Sequence, residues 1–312
     1  MASTDNTGAD WSHQPERSNM LMLRTMTWIS LRLGRRAGRV VLHGIAAYFL
    51  LFAPASRAAS RDYLARVLAR PVRWSDMYRH FFSFAATIHD RIYLLNQRFD
   101  LFDIAVYGEQ DMLDAMTDGQ GVFLIGAHLG SFEVVRALGR RHTELEVAMA
   151  MYEDNARQIN AMLSAINPAA QQDIIGLGHV DSMLKVNERL NAGTLVGMLA
   201  DRTFNGDVTQ PVTLLGHPAN MPTGPFRMAA ILRRPVIFMT GLYLGGNRYE
   251  IHFEQLADFS TLQKGERQAA IRHAMTRYAA LLEKYCQHAP YNWFNFFPFW
   301  ANVHADDKKN EP

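Results

Sequence analysis

The stretch Gly121-Val122-Phe123-Leu124-Ile125-Gly126-Ala127-His128-Leu129-Gly130-Ser131-Phe132-Glu133 decides how the chain is read. Val122 to Ile125 is an unbroken apolar run, as expected of a strand buried on both faces. The small residues after it predict a turn, and Ser131 stands where a cap is expected ahead of Val134, Val135 and Leu138 at helical spacing. His128 is thereby placed at a strand's carboxyl end, where open α/β sheets bind ligands. Glu133 falls in the first turn of the next helix. An imidazole that takes a proton from a hydroxyl needs a carboxylate to fix its tautomer and stabilise the imidazolium, and Glu133 is expected to supply it. Gly126, Ala127 and Gly130 read as room for a ligand beside the ring. No protein nucleophile accompanies the pair, so the nucleophile is expected to be the acceptor's own hydroxyl or amine. The spacing alone is weak, because a buried histidine more often satisfies a local hydrogen bond than catalyses.

Working outward, strand and helix patterns alternate from Phe99 onward. Strands are expected at 104–107, 122–126, 146–151, 173–175, 194–200, 236–243 and 249–253, and helices at 110–116, 131–140, 156–166, 181–191 and 222–232. A long helix over about 262–288 closes the pattern, followed by the aromatic tail Tyr291 to Trp300. This is an α/β fold, with a largely parallel central sheet flanked by helices. Helical periodicity also runs through 55–70 and 74–95, with Ser75 as the expected cap. The chain divides into a polar tail at 1–16, an N-terminal helical, membrane-associated segment at 17–98, the α/β domain at 99–301 and a charged tail at 302–312.

The motif and its surroundings resemble the lysophospholipid acyltransferase-like superfamily. The likeness is to the lipid A late acyltransferases (lauroyl and myristoyl transferases) and their relatives in aryl polyene and xanthomonadin pigment clusters. These carry His-x4-Asp or His-x4-Glu after a strand. Leu199-Ala200-Asp201-Arg202 resembles the family's strand ending in an acidic residue, and Leu214 to Phe226 its segment leading into a helix, with Arg234 to Phe238 as the next strand. The wording around Tyr48, Tyr63, Tyr93 and His128 is closer to the pigment-cluster type. The resemblance implies an acyltransferase at the cytoplasmic face of a Gram-negative inner membrane. It also implies a thioester donor on acyl carrier protein, or acyl-CoA second, and a membrane lipid or glycolipid acceptor. No cofactor or metal is implied, since thioester cleavage is favourable.

The 312 residues carry 48% hydrophobic residues, 18 Phe and 16 Met, which exceeds a modest core and leaves apolar material for a lipid-facing groove. The net charge of +2 hides an asymmetry: residues 17–79 hold twelve arginines and no lysine against Asp62 and Asp76. Such a segment suits an anionic lipid surface, where each nearby cation contributes about 1 kcal/mol, or an acidic carrier protein. No nucleic-acid motif accompanies the charge. Val40 to Phe52 is an apolar run of 13 residues, short of the roughly 20 that span a bilayer. It reads as a monotopic helix, or a shallowly inserted hairpin, lying in the interface with arginines such as Arg32, Arg35, Arg36 and Arg39 toward headgroups. The alternative is a helical cap packed on the sheet. The single Cys286 permits no internal disulfide.

Further candidates have a functional and a plain reading each. Arg136, three positions after Glu133, either tunes that carboxylate or binds phosphate, against a simple ion pair. Asp201 and Arg202 end a strand and are expected to face ligand. Asn155 and Arg157 match a polar segment of the family, against ordinary helix capping. Thr223 and Gly224 precede a helix amino terminus, whose free N–H groups can hold an oxyanion. His43, His80, His89 and His217 read as structural or solvated. Two rival classes are a serine hydrolase using Ser131, which lacks the Gly-x-Ser-x-Gly elbow, and a non-catalytic membrane scaffold that recruits carrier protein.

Overall fold

Phe123–Gly126 is buried at every position, as a strand must be when it has neighbours on both sides and helices on both faces. A computed structural model describes residues 16–300, except 117–118, 142–144, 154, 156, 158–159, 161–162, 164–165, 168–172, 180, 204–206 and 264. Its strands are β1 (Asp103–Tyr107), β2 (Phe123–Gly126), β3 (Val147–Tyr152), β4 (Ile174–Leu177), β5 (Leu195–Leu199), β6 (Thr209–Leu214), β7 (His217–Pro222), β8 (Pro235–Tyr243) and β9 (Arg248–Asp258). Its helices are α1 (Glu16–Phe52), α2 (Pro54–Leu68), α3 (Trp74–Leu95), α4 (Glu109–Asp114), α5 (Phe132–Arg141), α6 (Ser182–Asn191), α7 (Gly224–Leu232) and α8 (Arg267–His288).

The seven-stranded sheet has the order β1-β9-β8-β2-β5-β3-β4. Every pairing is parallel except β8 with β9. Alternation along β2 sends Phe123 and Ile125 into a core shared with α7 and α8, and Val122 and Leu124 into one shared with α1, α3 and α5. The α/β fold with helices on both faces is therefore as the sequence indicates. One element differs. Residues 209–222 form the antiparallel hairpin β6–β7, whose second half, from Leu214 on, reads in sequence only as a segment leading into a helix. Pro211, Pro218 and Gly216 mask its strand character. The two-residue turn at Leu215 and Gly216 has both φ positive, at 52° and 75°, the conformation that matches strand twist in tight hairpins. The expected helix at 156–166 falls largely outside the described residues, as do the tails at 1–15 and 302–312.

The N-terminal helices pack on the domain. Helix α1 bends at Gly34, where φ is 81°. Pro54 opens α2, where a missing N–H costs nothing. The N-cap of α3 is Arg73, whose N–H donates to the Asp76 carboxylate at 2.9 Å, so the helix starts one residue before the expected Ser75 cap. Asp90 on α3, wholly buried, accepts a bidentate pair from Arg35 at 2.8 and 2.9 Å, Arg39 at 2.7 Å and the Tyr249 hydroxyl at 2.7 Å. Burial alone would raise its pKa; the His89 and arginine contacts reverse this and hold it below the usual carboxylate range. Arg35 and Arg39 thus turn inward, while Arg32 and Arg36 stay exposed. No single described helix is long and apolar enough to cross a membrane; Arg32–Phe52 and Pro54–Leu68 meet that test only together, bent by 95°.

Replacing Asp90 with Ala strands two nearly buried guanidinium groups, a loss of about 3–5 kcal/mol. At roughly 2–4 °C per kcal/mol for a domain of this class, the thermal midpoint of Asp90→Ala is expected to fall by about 6–20 °C. A midpoint within a degree of wild type would show that the cluster does not hold α1.

Candidate active site

Two strand ends build the site. β2 and β5 are parallel neighbours with Gly126 opposite Leu199, and the Ala200 N–H continues the ladder to the Gly126 carbonyl at 3.0 Å. Two residues further along each strand stand His128 and Asp201. The Asp201 carboxylate receives the His128 backbone N–H at 3.1 Å and meets the ring Nδ1 at 2.9 Å. The Trp293 indole N–H adds a bond at 2.9 Å and the Asn295 amide one at 3.5 Å.

The third contribution is the aromatic tail, which crosses the sheet as a strap. The Phe294 N–H donates to the His128 carbonyl at 2.8 Å, and the Gly130 N–H to the Asn292 carbonyl at 2.8 Å. Asn292 exchanges side-chain bonds with both backbone groups of Tyr243, at 2.7 and 3.0 Å. His80, fully buried, accepts from the Ser60 hydroxyl at Nδ1 (2.9 Å) and donates from Nε2 to the Trp293 carbonyl (2.8 Å). The strap is therefore pinned at both ends of the residue whose indole holds Asp201.

His128 keeps 31% of its side chain exposed, toward a cavity of about 530 Å³. Met149, Met151, Met183, Met198 and Met228 make this cavity apolar and adaptable. Arg202 lies beside the histidine at the cavity wall, donating to the Asn295 side chain at 3.2 Å and the Phe294 carbonyl at 3.1 Å. Burial pulls the His128 pKa below 6.5, the Asp201 charge opposes this, and Arg202 adds to it. Burial by itself would raise Asp201, but the His128 ring, Arg202 and the Trp293 N–H bring it down to about 2. At neutral pH the pair is an ionised acid and a neutral ring. Nδ1 then carries the proton toward Asp201, and Nε2 is left as a base.

Several sequence expectations are placed differently. The Glu133 carboxylate is not the acid bonded to the ring Nδ1. It accepts from Arg136 at 3.0 Å and lies 3.9 Å from Arg91, all on the α3–α5 side. The periodicity of α5 explains this: the carboxylate in its first turn shares a face with Arg136 one turn on, and that face packs on α3. The acid behind the ring is Asp201. The glycines read as ligand space are filled by backbone instead. A Cβ on Gly126 would lie 2.9 Å from the Met239 carbonyl oxygen, and one on Gly130, where φ is +75°, would meet that of Gly241 at 2.1 Å. Thr223 donates its hydroxyl to the Val208 carbonyl at 2.9 Å, anchoring the hairpin to α7, while Gly224 lines the cavity. Asn155 also lines it; Arg157 is exposed and, like Arg136, is not among the lining residues. Ser131 is buried and outside the lining as well.

Trp293 stood in the sequence only as part of the aromatic tail, His80 as a structural or solvated histidine, and the five cavity methionines only as part of the apolar excess. The signal for Trp293 was its place in a tail too aromatic for a loop. That for Asp201 as partner was the equal two-residue offset of both groups from their strand ends.

A sequence model described as bacterial lipid A biosynthesis acyltransferase matches residues 13–302. The chain belongs to that family. Comparison with curated proteins gives no match. Among solved structures, this acyltransferase is similar to the 1-acyl-sn-glycerophosphate (LPA) acyltransferase PlsC from Thermotoga maritima. The identity is 13% and the TM-score 0.36, over 86% of this chain and 98% of that one.

The His80 pocket gives a pH-dependent outcome. Burial holds His80 at about 4, against a partial rise from its bond to Trp293. A group depressed from 6.5 binds protons first in the unfolded chain, so stability is full above that value and falls as pH drops toward 4. The loss is on the order of 3 kcal/mol. Urea titrations of wild type and His80→Gln at pH 7 and pH 4.5 are expected to show a steeper acid loss in wild type. Equal losses would remove His80 as its source.

Proposed function

We propose that this acyltransferase moves an acyl chain from a carrier thioester to a hydroxyl of a membrane lipid or glycolipid, with His128 as general base. The observation that carries this reading is a neutral imidazole, oriented by a buried carboxylate, opening on a methionine-lined cavity of about 530 Å³. His128 Nε2 takes the acceptor's hydroxyl proton, and the oxygen attacks the thioester carbonyl carbon. The tetrahedral oxyanion forms near the Arg202 guanidinium and the amino terminus of α7, either of which can stabilise it. The intermediate collapses, the C–S bond breaks, and the imidazolium returns its proton to the thiolate. An ester and a free thiol result, with Asp201 charged throughout to steady the imidazolium. Ser131, buried away from the cavity, does not favour a serine hydrolase.

Acyl carrier protein as donor, with acyl-CoA second, is supported by exposed arginines at 32, 36, 61, 73 and 79, which suit an acidic partner. Those groups and an exposed apolar face also support seating on the cytoplasmic leaflet of the inner membrane. Val41, Tyr48 and Phe52 lie seven and four residues apart on α1, joined by Leu51 and Trp28, all exposed. Whether the transferred chain is a saturated acyl group, as on lipid A, or an aryl polyene is read best from the lipids and pigments of a deletion strain by mass spectrometry.

His128→Ala is expected to lower kcat by roughly 10²–10⁴-fold with an unchanged circular dichroism spectrum. Asp201→Asn should lower kcat as well. It should also move the acid limb of the pH profile further down, since the anion that raises the His128 pKa is gone. Near-normal acyl transfer by His128→Ala, measured with an acyl-carrier donor, would remove the mechanism.

For the membrane reading, Tyr48→Ser/Leu51→Ser/Phe52→Ser is expected to lose sedimentation with vesicles containing anionic lipid while keeping the wild-type melting curve. Undiminished sedimentation would place the contact elsewhere.

A further inference from the structure

Glu250, His252 and His288 bring three metal-binding side chains together at β9, separated from His128's strand by β8. Glu250 and His252 alternate by two on β9 and so share one face. His288 is the last residue of α8, which packs against that face. Both ring Nε2 atoms meet a single Glu250 oxygen, His252 at 3.1 Å and His288 at 2.9 Å. All three ligand atoms lie within 4.8 Å of one another.

We propose that this triad is a zinc site with two imidazole ligands, one carboxylate and a water in the fourth position. Zinc–ligand bonds of about 2.0–2.1 Å imply tetrahedral edges of roughly 3.3 Å between donor atoms. Two of the three edges are already 2.9 and 3.1 Å, and the third, between the two ring nitrogens, is no longer than 4.8 Å, a gap that the half-exposed His288 is free to narrow. Imidazole with one carboxylate is a donor set that suits zinc and its neighbours, and not magnesium or calcium, which take oxygen ligands. The surroundings hold the ligands still. Tyr107 stacks on the His252 ring at 4.8 Å, and the Tyr285 ring packs on it from α8 at 4.8 Å. The nearby cation, Lys284, is turned to Glu254 at 2.5 Å, which offsets its charge.

The role of the ion follows from its place. Helix α8 ends at His288, and the strap that carries Asn292 and Trp293 begins immediately after it. Zinc there ties the end of α8 to β9 and fixes the point from which the strap departs toward Asp201. The site is independent of the acyl-transfer reading, because its readout is metal content and stability.

Purified full-length protein, stripped with chelator and then titrated with zinc chloride by calorimetry, is expected to bind one ion at micromolar affinity or tighter and to melt at a higher temperature. Magnesium chloride should do neither. His288→Ala, at an exposed position where the fold tolerates change, should bind at least tenfold more weakly and lose the zinc-dependent rise in melting temperature. Glu250→Gln should do the same. Cobalt in place of zinc should give tetrahedral visible bands in wild type only. No zinc uptake by wild type would overturn the site, and so would equal uptake by His288→Ala, which would put the ion on other histidines.

Discussion

The carboxylate of Asp201 is the group on which the site depends, and its position is a consequence of sheet register. Because β2 and β5 run parallel with Gly126 opposite Leu199, any two side chains placed equally far past their ends become neighbours. His128 and Asp201 are those residues. The arrangement needs no loop to find its partner, so the ring is held by the hydrogen-bonded ladder of the central sheet. A base whose orienting acid sat on a separate loop would pay for its geometry in entropy; here both belong to one ladder.

A buried carboxylate is stable only if its lone pairs are filled. Asp201 takes the backbone N–H and ring of His128, and the indole of Trp293 from the far end of the chain. This accounts for the aromatic tail. Trp293, wholly buried against Tyr63 on α2, has its carbonyl held by His80 on α3 and its N–H held by Asp201. The N-terminal helices, read from sequence as a membrane-associated segment, are therefore part of the machinery that keeps the acid in place.

The sheet was legible because its strands are apolar runs bounded by small residues, and periodicity separates these from the helices. His128 was legible for the same reason, as the polar residue at the end of such a run. Its partner was misjudged. Glu133 is close in sequence, but being near along a chain does not aim a side chain; α5 turns that carboxylate to Arg136 and Arg91. Asp201, distant by 73 positions, could be paired with His128 only by knowing that β2 and β5 are adjacent. The hairpin β6–β7 was hidden by its prolines, and the Gly130 contact with Gly241 by the fact that a glycine needed for close backbone approach looks, in sequence, like one that leaves space.

That glycine contact also explains how the domain's halves are joined at the site. Gly130 and Gly241 touch backbone to backbone, the Ser131 N–H donates to the Gly241 carbonyl at 2.7 Å, and Thr240 donates to the Leu129 carbonyl at 3.0 Å. The turn after β2 is thus sewn to β8 on one side while His128 is bonded to the end of β5 on the other. Any side chain at position 130 would have to displace backbone and not a flexible neighbour, at a φ that only glycine adopts readily. The small residues around His128 therefore shape the site from beneath, by letting three segments of backbone meet at one point, and the open space beside the ring is bounded by the methionines beyond it.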